Sequence, residues 1–203
     1  MAIMNQATGE ISIKIVYYGP AMAGKTTNLV QLHDNVKADE KGKLISLATS
    51  SDRTLYFDFL PLEATIINGF KVKFQLYTVP GQVIYNTTRQ LVLRGVDGIV
   101  FVADSQYERM KENVESFQNL EKNLRNLKLN LAEIPYVLQY NKRDVEQAAP
   151  VEYMEYLLNN NCEVLVPSFQ SFANKCEGVL ETFNTISKML INRFSHRPGT
   201  TGV

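Results

Sequence analysis

Apolar residues along this chain recur with two periods, and the switch between them outlines the elements. Ile11, Ile13, Ile15 and Val16, followed by Tyr17 and Tyr18, form a β-prone run that stops at Gly19-Pro20. That is the pattern of a strand buried on at least one face. From Lys25 onward the apolar positions Leu29, Leu32 and Val36 fall at helical spacing, so a helix is predicted directly after a glycine-containing loop. Lys43 to Ala48 and Lys71 to Tyr77 are further strands; the second alternates Val72, Phe74 and Leu76 with Lys71, Lys73 and Gln75 until Pro80-Gly81 ends it. Gly98 to Ala103 is apolar throughout, as a central parallel strand should be, and Tyr136 to Tyr140 is another.

Helices are predicted between these strands. Met110, Val114, Phe117, Glu121, Leu124 and Leu127 make one stripe, with Glu121 at its edge, and Val179, Leu180, Phe183, Ile186, Met189 and Leu190 make a second. A shorter helix starts at Pro150 with Met154, Leu157 and Leu158 inward. The alternation predicts an α/β fold: a doubly wound, mostly parallel sheet flanked by helices on both faces, with ligand at the carboxyl ends of the strands. At 203 residues, 45% of them hydrophobic, the chain suits one domain, residues 1–194, with residues 195–203 as a short tail carrying Pro198, Gly199 and Gly202.

Composition narrows the function. Lys and Arg number 21 against 21 Asp and Glu, so no strongly basic surface is available and nucleic acid is not an expected partner. Cys162 and Cys176 form no CxxC motif and no zinc set, and read as free thiols of a reducing cytoplasm. No apolar run reaches the length of a membrane span, MAIMNQATGE lacks the features of a leader, and neither end carries a myristoylation or prenylation motif. A cytoplasmic protein without a direct lipid anchor is expected, and a monomer when alone.

The chemistry lies at the strand ends. Gly19-Pro-Ala-Met-Ala-Gly24-Lys25-Thr26 matches GxxxxGK[ST], which ordinary residue frequencies produce in roughly one chain per hundred of this length. Its position between a strand and a helix is the context its mechanism needs. The backbone of Gly19, Ala21, Met22, Ala23, Gly24, Lys25, Thr26 and Thr27 would turn N–H groups toward phosphate oxygens, aided by the helix dipole. Lys25 would contact the β- and γ-phosphates, and the Thr26 hydroxyl would ligate Mg²⁺.

This loop alone does not choose between ATP and GTP. Asn141-Lys142-Arg143-Asp144, at the end of the strand Tyr136 to Tyr140, does: the Asp144 carboxylate can accept both N1–H and N2–H₂ of guanine, a donor pair adenine lacks. The Lys142 stem could cover base and ribose. Thr78-Val-Pro-Gly81-Gln82 follows another strand, where a switch GTPase places the glycine that senses the γ-phosphate and the glutamine that orients water.

Together KIVYYGP, GKLISLATSSDRTLYFDFLPL, LYTVPGQ, GVDGIVFVADSQ and YNKRD resemble the bacterial MglA group of Ras-like GTPases, over about Ile11 to Arg193. The resemblance implies a P-loop NTPase of the Ras-like G-domain type, with GTP/GDP and Mg²⁺ as ligands and a role in cell polarity and in gliding or twitching motility. It implies a roadblock-domain protein as GTPase-activating partner, polarity or motility effectors, and recruitment to a cell pole by partners. Arg53 would be an arginine finger supplied in cis, a device giving ~10³ to 10⁵ in rate. Thr54 would be the switch threonine that reaches Mg²⁺ and the γ-phosphate.

Aligning Phe172-Ala173-Asn174 with the Ser-Ala-Lys of Ras-type proteins would give the Ala173 N–H to guanine O6. Thr78 stands where eukaryotic Ras has Asp, as in MglA proteins, so magnesium support is weaker or comes from another residue; Asp58 has no assigned role. Ala21 replaces the usual glycine, and its methyl group would crowd the catalytic geometry. A hydrolysis-impaired GTP-bound scaffold is therefore one alternative, which Gln82 and Arg53 argue against. A P-loop ATPase or small-molecule kinase is another, but it would leave Asn141 to Asp144 idle.

Overall fold

The computed structural model describes residues 3–5, 8–37, 40–48, 54–67, 70–160 and 165–195. The tail 196–203, Arg53 and Cys162 lie outside the described residues. In chain order the elements are β1 (Ile3–Asn5), β2 (Glu10–Tyr18), α1 (Lys25–Asn35), β3 (Ile45–Ala48), β4 (Thr54–Ile67) and β5 (Phe70–Thr78). There follow α2 (Asn86–Leu93), β6 (Gly98–Asp104), α3 (Met110–Asn126), β7 (Tyr136–Asn141), α4 (Val151–Leu158), β8 (Ser168–Gln170) and α5 (Val179–Ser195).

One eight-stranded sheet runs in the order β3-β4-β5-β2-β6-β7-β8, with β1 antiparallel to β2. β5, β2, β6, β7 and β8 are parallel neighbours, whereas β4 and β3 run antiparallel at one side. The predicted strands are all present, and the carboxyl ends of β2, β5 and β7 carry the three motif-bearing loops to one edge.

Period-two alternation sorts the core onto two faces. Val16, Tyr18, Phe101 and Leu138 pack with Leu93 of α2, Phe117, Leu120 and Leu124 of α3, and Met154 of α4. Ile15, Tyr17, Val100, Val102 and Val137 pack with Leu29 and Leu32 of α1 and Ile186 and Leu190 of α5. Every residue of β6 is buried, as its unbroken apolar run requires.

The sequence pattern did not reveal β1, β4, α2 or β8. β4 is the instructive case, because Pro61 argues against a strand of 14 residues. The Gly42 N–H donates to Pro61 C=O at 2.9 Å, so the absent Pro61 N–H faces that same side, beyond the short edge strand β3. Toward β5 the ladder is unbroken from Phe59↔Tyr77 to Ala64↔Val72. The α1 helix ends at Asn35, with Val36 as its extended C-cap. In α3 the fully buried position is Leu120 rather than Glu121, which is half-exposed, and the stripe includes the buried Asn113 and Asn123. Among the described residues no helix is long and apolar enough to cross a membrane.

Because Leu120 is wholly enclosed between α3 and the sheet, Leu120→Ala is expected to cost about 2 to 5 kcal/mol in urea unfolding. Glu121→Ala should stay within about 0.5 kcal/mol.

Candidate active site

The loop after β2 is shaped by two glycines with positive φ, Gly19 at 147° and Gly24 at 98°. A Cβ on Gly19 would collide with the Val102 C=O, and one on Gly24 with Asn141 Nδ2, so both neighbours can approach only because the side chains are absent. Met22 also has positive φ, at 64°, and its side chain is exposed. The α1 helix starts at Lys25, directly after Gly24, so its amino end opens onto the loop.

Lys25 is buried, and its Nζ donates to Gly19 C=O at 3.1 Å and Pro20 C=O at 2.6 Å. Burial, and after it the Arg89 guanidinium, pull its ammonium down to about 7, against the opposing Asp58 carboxylate. This cation is therefore held by carbonyl dipoles and lacks sufficient negative charge, a setting suited to a polyanion.

Asp58 was given no role by the sequence, yet it is fully buried at this site. The Thr26 hydroxyl donates to Asp58 Oδ2 at 2.6 Å and the Thr78 hydroxyl to the same oxygen at 2.8 Å, while the Asp58 N–H donates to Thr78 Oγ1 at 2.8 Å. The carboxylate missing at position 78 thus comes from the neighbouring strand. Its signal was an acid in phase with the inward Leu60 and Leu62 of β4, hidden by the failure to recognise that strand. Thr54, also named from the sequence, is the first residue of β4, paired with Ala48.

Gly81 presses on the phosphate loop. A Cβ there would overlap Ala21 Cα and come within 2.6 Å of Ala21 N and 2.9 Å of Pro20 O. Gln82 follows half-buried, ahead of the turn Val83–Tyr85, and its C=O accepts the Tyr85 N–H at 3.2 Å. A second residue missed by sequence reasoning reaches the loop from the other side: Arg109 Nη2 donates to Ala21 C=O at 3.2 Å, and Nη1 pairs with Glu112 at 2.8 Å.

Asn141 joins the distant segments. Its Nδ2 donates to Ala23 C=O at 2.8 Å, and its Oδ1 accepts from Ser171 Oγ at 3.0 Å and Ala173 N–H at 2.9 Å. The Ala173 N–H, expected to face guanine O6, is donated to Asn141 Oδ1 in this structure. Lys142, at φ 64°, extends its Nζ to Asp104 Oδ2 at 2.6 Å. Asp104 was also overlooked; an acid closing the apolar strand GIVFVAD at its carboxyl end was the available signal. Asp144 is exposed, with Asn174 Nδ2 at 3.5 Å from its carboxylate.

A mostly parallel α/β sheet with a glycine-bounded loop opening α1, an N-K-R-D segment bonded to that loop and a glycine seated on it defines a Ras-like G domain. The model of the ADP-ribosylation factor family matches residues 1–190. "Mutual gliding-motility protein MglA" of Myxococcus xanthus is 51% identical over 191 residues, covering 94% of this chain and 96% of that protein. "Ras-related protein SEC4" of Saccharomyces cerevisiae is 27% identical over 180 residues, covering 88% and 74% respectively. The chain belongs to the MglA family of Ras- and Arf-like small GTPases, and with it comes guanine nucleotide as ligand and GTP as substrate.

Asn141→Asp would set a carboxylate against the Ala23 carbonyl and remove the bond between the two segments. A loss of guanine-nucleotide affinity of about 10- to 100-fold is expected, read by fluorescent GDP titration.

Proposed function

We propose that this chain is a magnesium-dependent GTP/GDP switch with slow hydrolysis of its own, accelerated by a roadblock-domain partner. The observation that carries this reading is the 2.8 Å bond from Asn141 Nδ2 to Ala23 C=O, which couples a base-reading segment to a phosphate loop 118 positions away. In the proposed cycle the Asp144 carboxylate accepts from guanine, and the loop N–H groups with Lys25 hold the β- and γ-phosphates. Lys142 is steadied by Asp104, so its stem can lie along the base. Gly81 meets the γ-phosphate, and Gln82 orients the water that attacks it; the γ-phosphorus–oxygen bond to GDP breaks and phosphate leaves. Arg53 supplies further positive charge when the partner reshapes its segment.

Thr26 with Asp58 and Thr78 makes an all-oxygen set of the kind a hard cation takes. Thr26 and Thr54 would hold Mg²⁺, with Asp58 in support, and the ion would neutralise charge on the phosphates. A role in motility is supported by the relative named for gliding motility; a role in cell polarity and recruitment to a pole by partners are what the sequence resemblance implies.

A second reading is a GTP-bound scaffold in which the Ala21 methyl group impairs hydrolysis; the close approach of Gly81 is to the Ala21 backbone and does not depend on that methyl group.

Purified chain with Mg²⁺ is expected to bind GTP in preference to ATP, and Asp144→Asn to weaken GTP binding by about 1 to 3 kcal/mol; unaltered affinity in that variant would refute base reading by Asp144. In single-turnover assays Ala21→Gly should hydrolyse GTP faster, whereas Gln82→Ala should bind GTP and lose turnover. Absence of hydrolysis with and without a roadblock-domain protein would favour the scaffold.

A further inference from the structure

Arg89 of α2 is the bulkiest of the fully enclosed side chains, and among the described residues no carboxylate pairs with it. A guanidinium stays protonated when buried, and burying its charge without a counterion is costly unless its N–H groups are well used. They go to four neutral acceptors. Nε donates to Pro80 C=O at 2.9 Å, Nη2 to Gly81 C=O at 2.6 Å, and Nη1 to Asn119 Oδ1 at 2.7 Å and Tyr18 Oη at 3.3 Å. The guanidinium also lies 4.9 Å from the Tyr18 ring centroid.

The consequence lies in the two carbonyls. A trans peptide is planar, so its N–H points opposite to its C=O. The Pro80 carbonyl shares a peptide with the Gly81 N–H, and the Gly81 carbonyl with the Gln82 N–H. By gripping both carbonyls in one rigid fork, Arg89 turns both N–H groups away from itself. This happens in a segment that presses on Ala21 of the phosphate loop.

The other end of the fork is equally fixed. Tyr18 Oη donates to Asn119 Oδ1 at 2.6 Å, and Asn123 Nδ2 donates to Asn86 Oδ1 at 2.8 Å and to Tyr18 Oη at 3.1 Å. Asn119 Nδ2 donates to Asn86 Oδ1 at 3.1 Å. α2, α3 and the end of β2 thus form one hydrogen-bonded frame for the arginine.

We infer that Arg89 is a positioning residue for γ-phosphate recognition: clamped to α3 through Asn119, it aims the Gly81 and Gln82 N–H groups, so that it favours GTP over GDP. The inference rests on the reading of Gly81 and Gln82 as the residues that meet the γ-phosphate. A lysine at this place keeps the charge but cannot reproduce the planar fork.

The test uses the full chain with Mg²⁺ and measures affinity for GDP and for a non-hydrolysable GTP analogue, together with single-turnover GTP hydrolysis. In Arg89→Lys the analogue affinity and the hydrolysis rate are expected to fall on the order of 10- to 100-fold, while GDP affinity stays within about threefold. Asn119→Leu, which frees the far end of the fork, should lower the analogue-to-GDP ratio by about three- to tenfold. Should Arg89→Lys not be recovered folded, the ratio in Asn119→Leu decides. A purely structural arginine would lower both affinities together; that outcome, or a ratio equal to that of the unaltered chain, overturns the inference. Failure of the unaltered chain to bind either nucleotide would refute the reading of the site itself and remove the inference with it.

Discussion

Two cations and one carboxylate are buried together beside the phosphate loop, and the remainder of the site is arranged around that imbalance. Lys25 leans on loop carbonyls, Arg89 on carbonyls and amides, and Asp58 is shared between two hydroxyls. Uncompensated charge in a low-dielectric interior is among the costliest features a fold can carry. In the proposed site, nucleotide phosphates would supply the missing negative charge, and nucleotide binding would then be linked to folding stability: a ligand that binds only the folded chain raises its stability with concentration.

Around that centre, buried amides serve to hold it in place. Val137, Gln139 and Asn141 share one face of β7, which passes from apolar core to structural amide to site residue along the strand. Gln139 Nε2 donates to Asn28 Oδ1 of α1 at 2.9 Å and to Thr182 Oγ1 of α5 at 3.1 Å; Asn28 Nδ2 in turn donates to the Gly24 carbonyl at 2.9 Å. The loop is therefore braced from β7 twice, at Gly24 through Asn28 and at Ala23 through Asn141.

What the sequence revealed, and what it hid, follows from how far each interaction reaches along the chain. The phosphate loop, the N-K-R-D segment and the buried strands are local patterns, and their places at one sheet edge follow from the strand–helix alternation. Asp58 is not local: its role depends on β4 pairing with β5 next to Thr78, and Pro61 concealed that pairing. Arg89, Arg109 and Asp104 act through contacts between elements, at positions where a solvated arginine or a turn acid is the commoner occupant. The bond from the Ala173 N–H to Asn141 Oδ1 is likewise a contact between distant segments that no local pattern announces. The proline and the buried amides of α3 were the places where local rules and the tertiary structure disagreed.

Gly81 meets the phosphate loop main chain to main chain: the atoms a Cβ would strike are Ala21 Cα and N and Pro20 O, which are present whatever side chain stands at position 21. A side chain at 81 could be admitted only by moving the backbone of the loop itself. Displacement of one segment is therefore passed to the other without a side chain as messenger, and the contact is indifferent to the loop residue while intolerant of any change at 81.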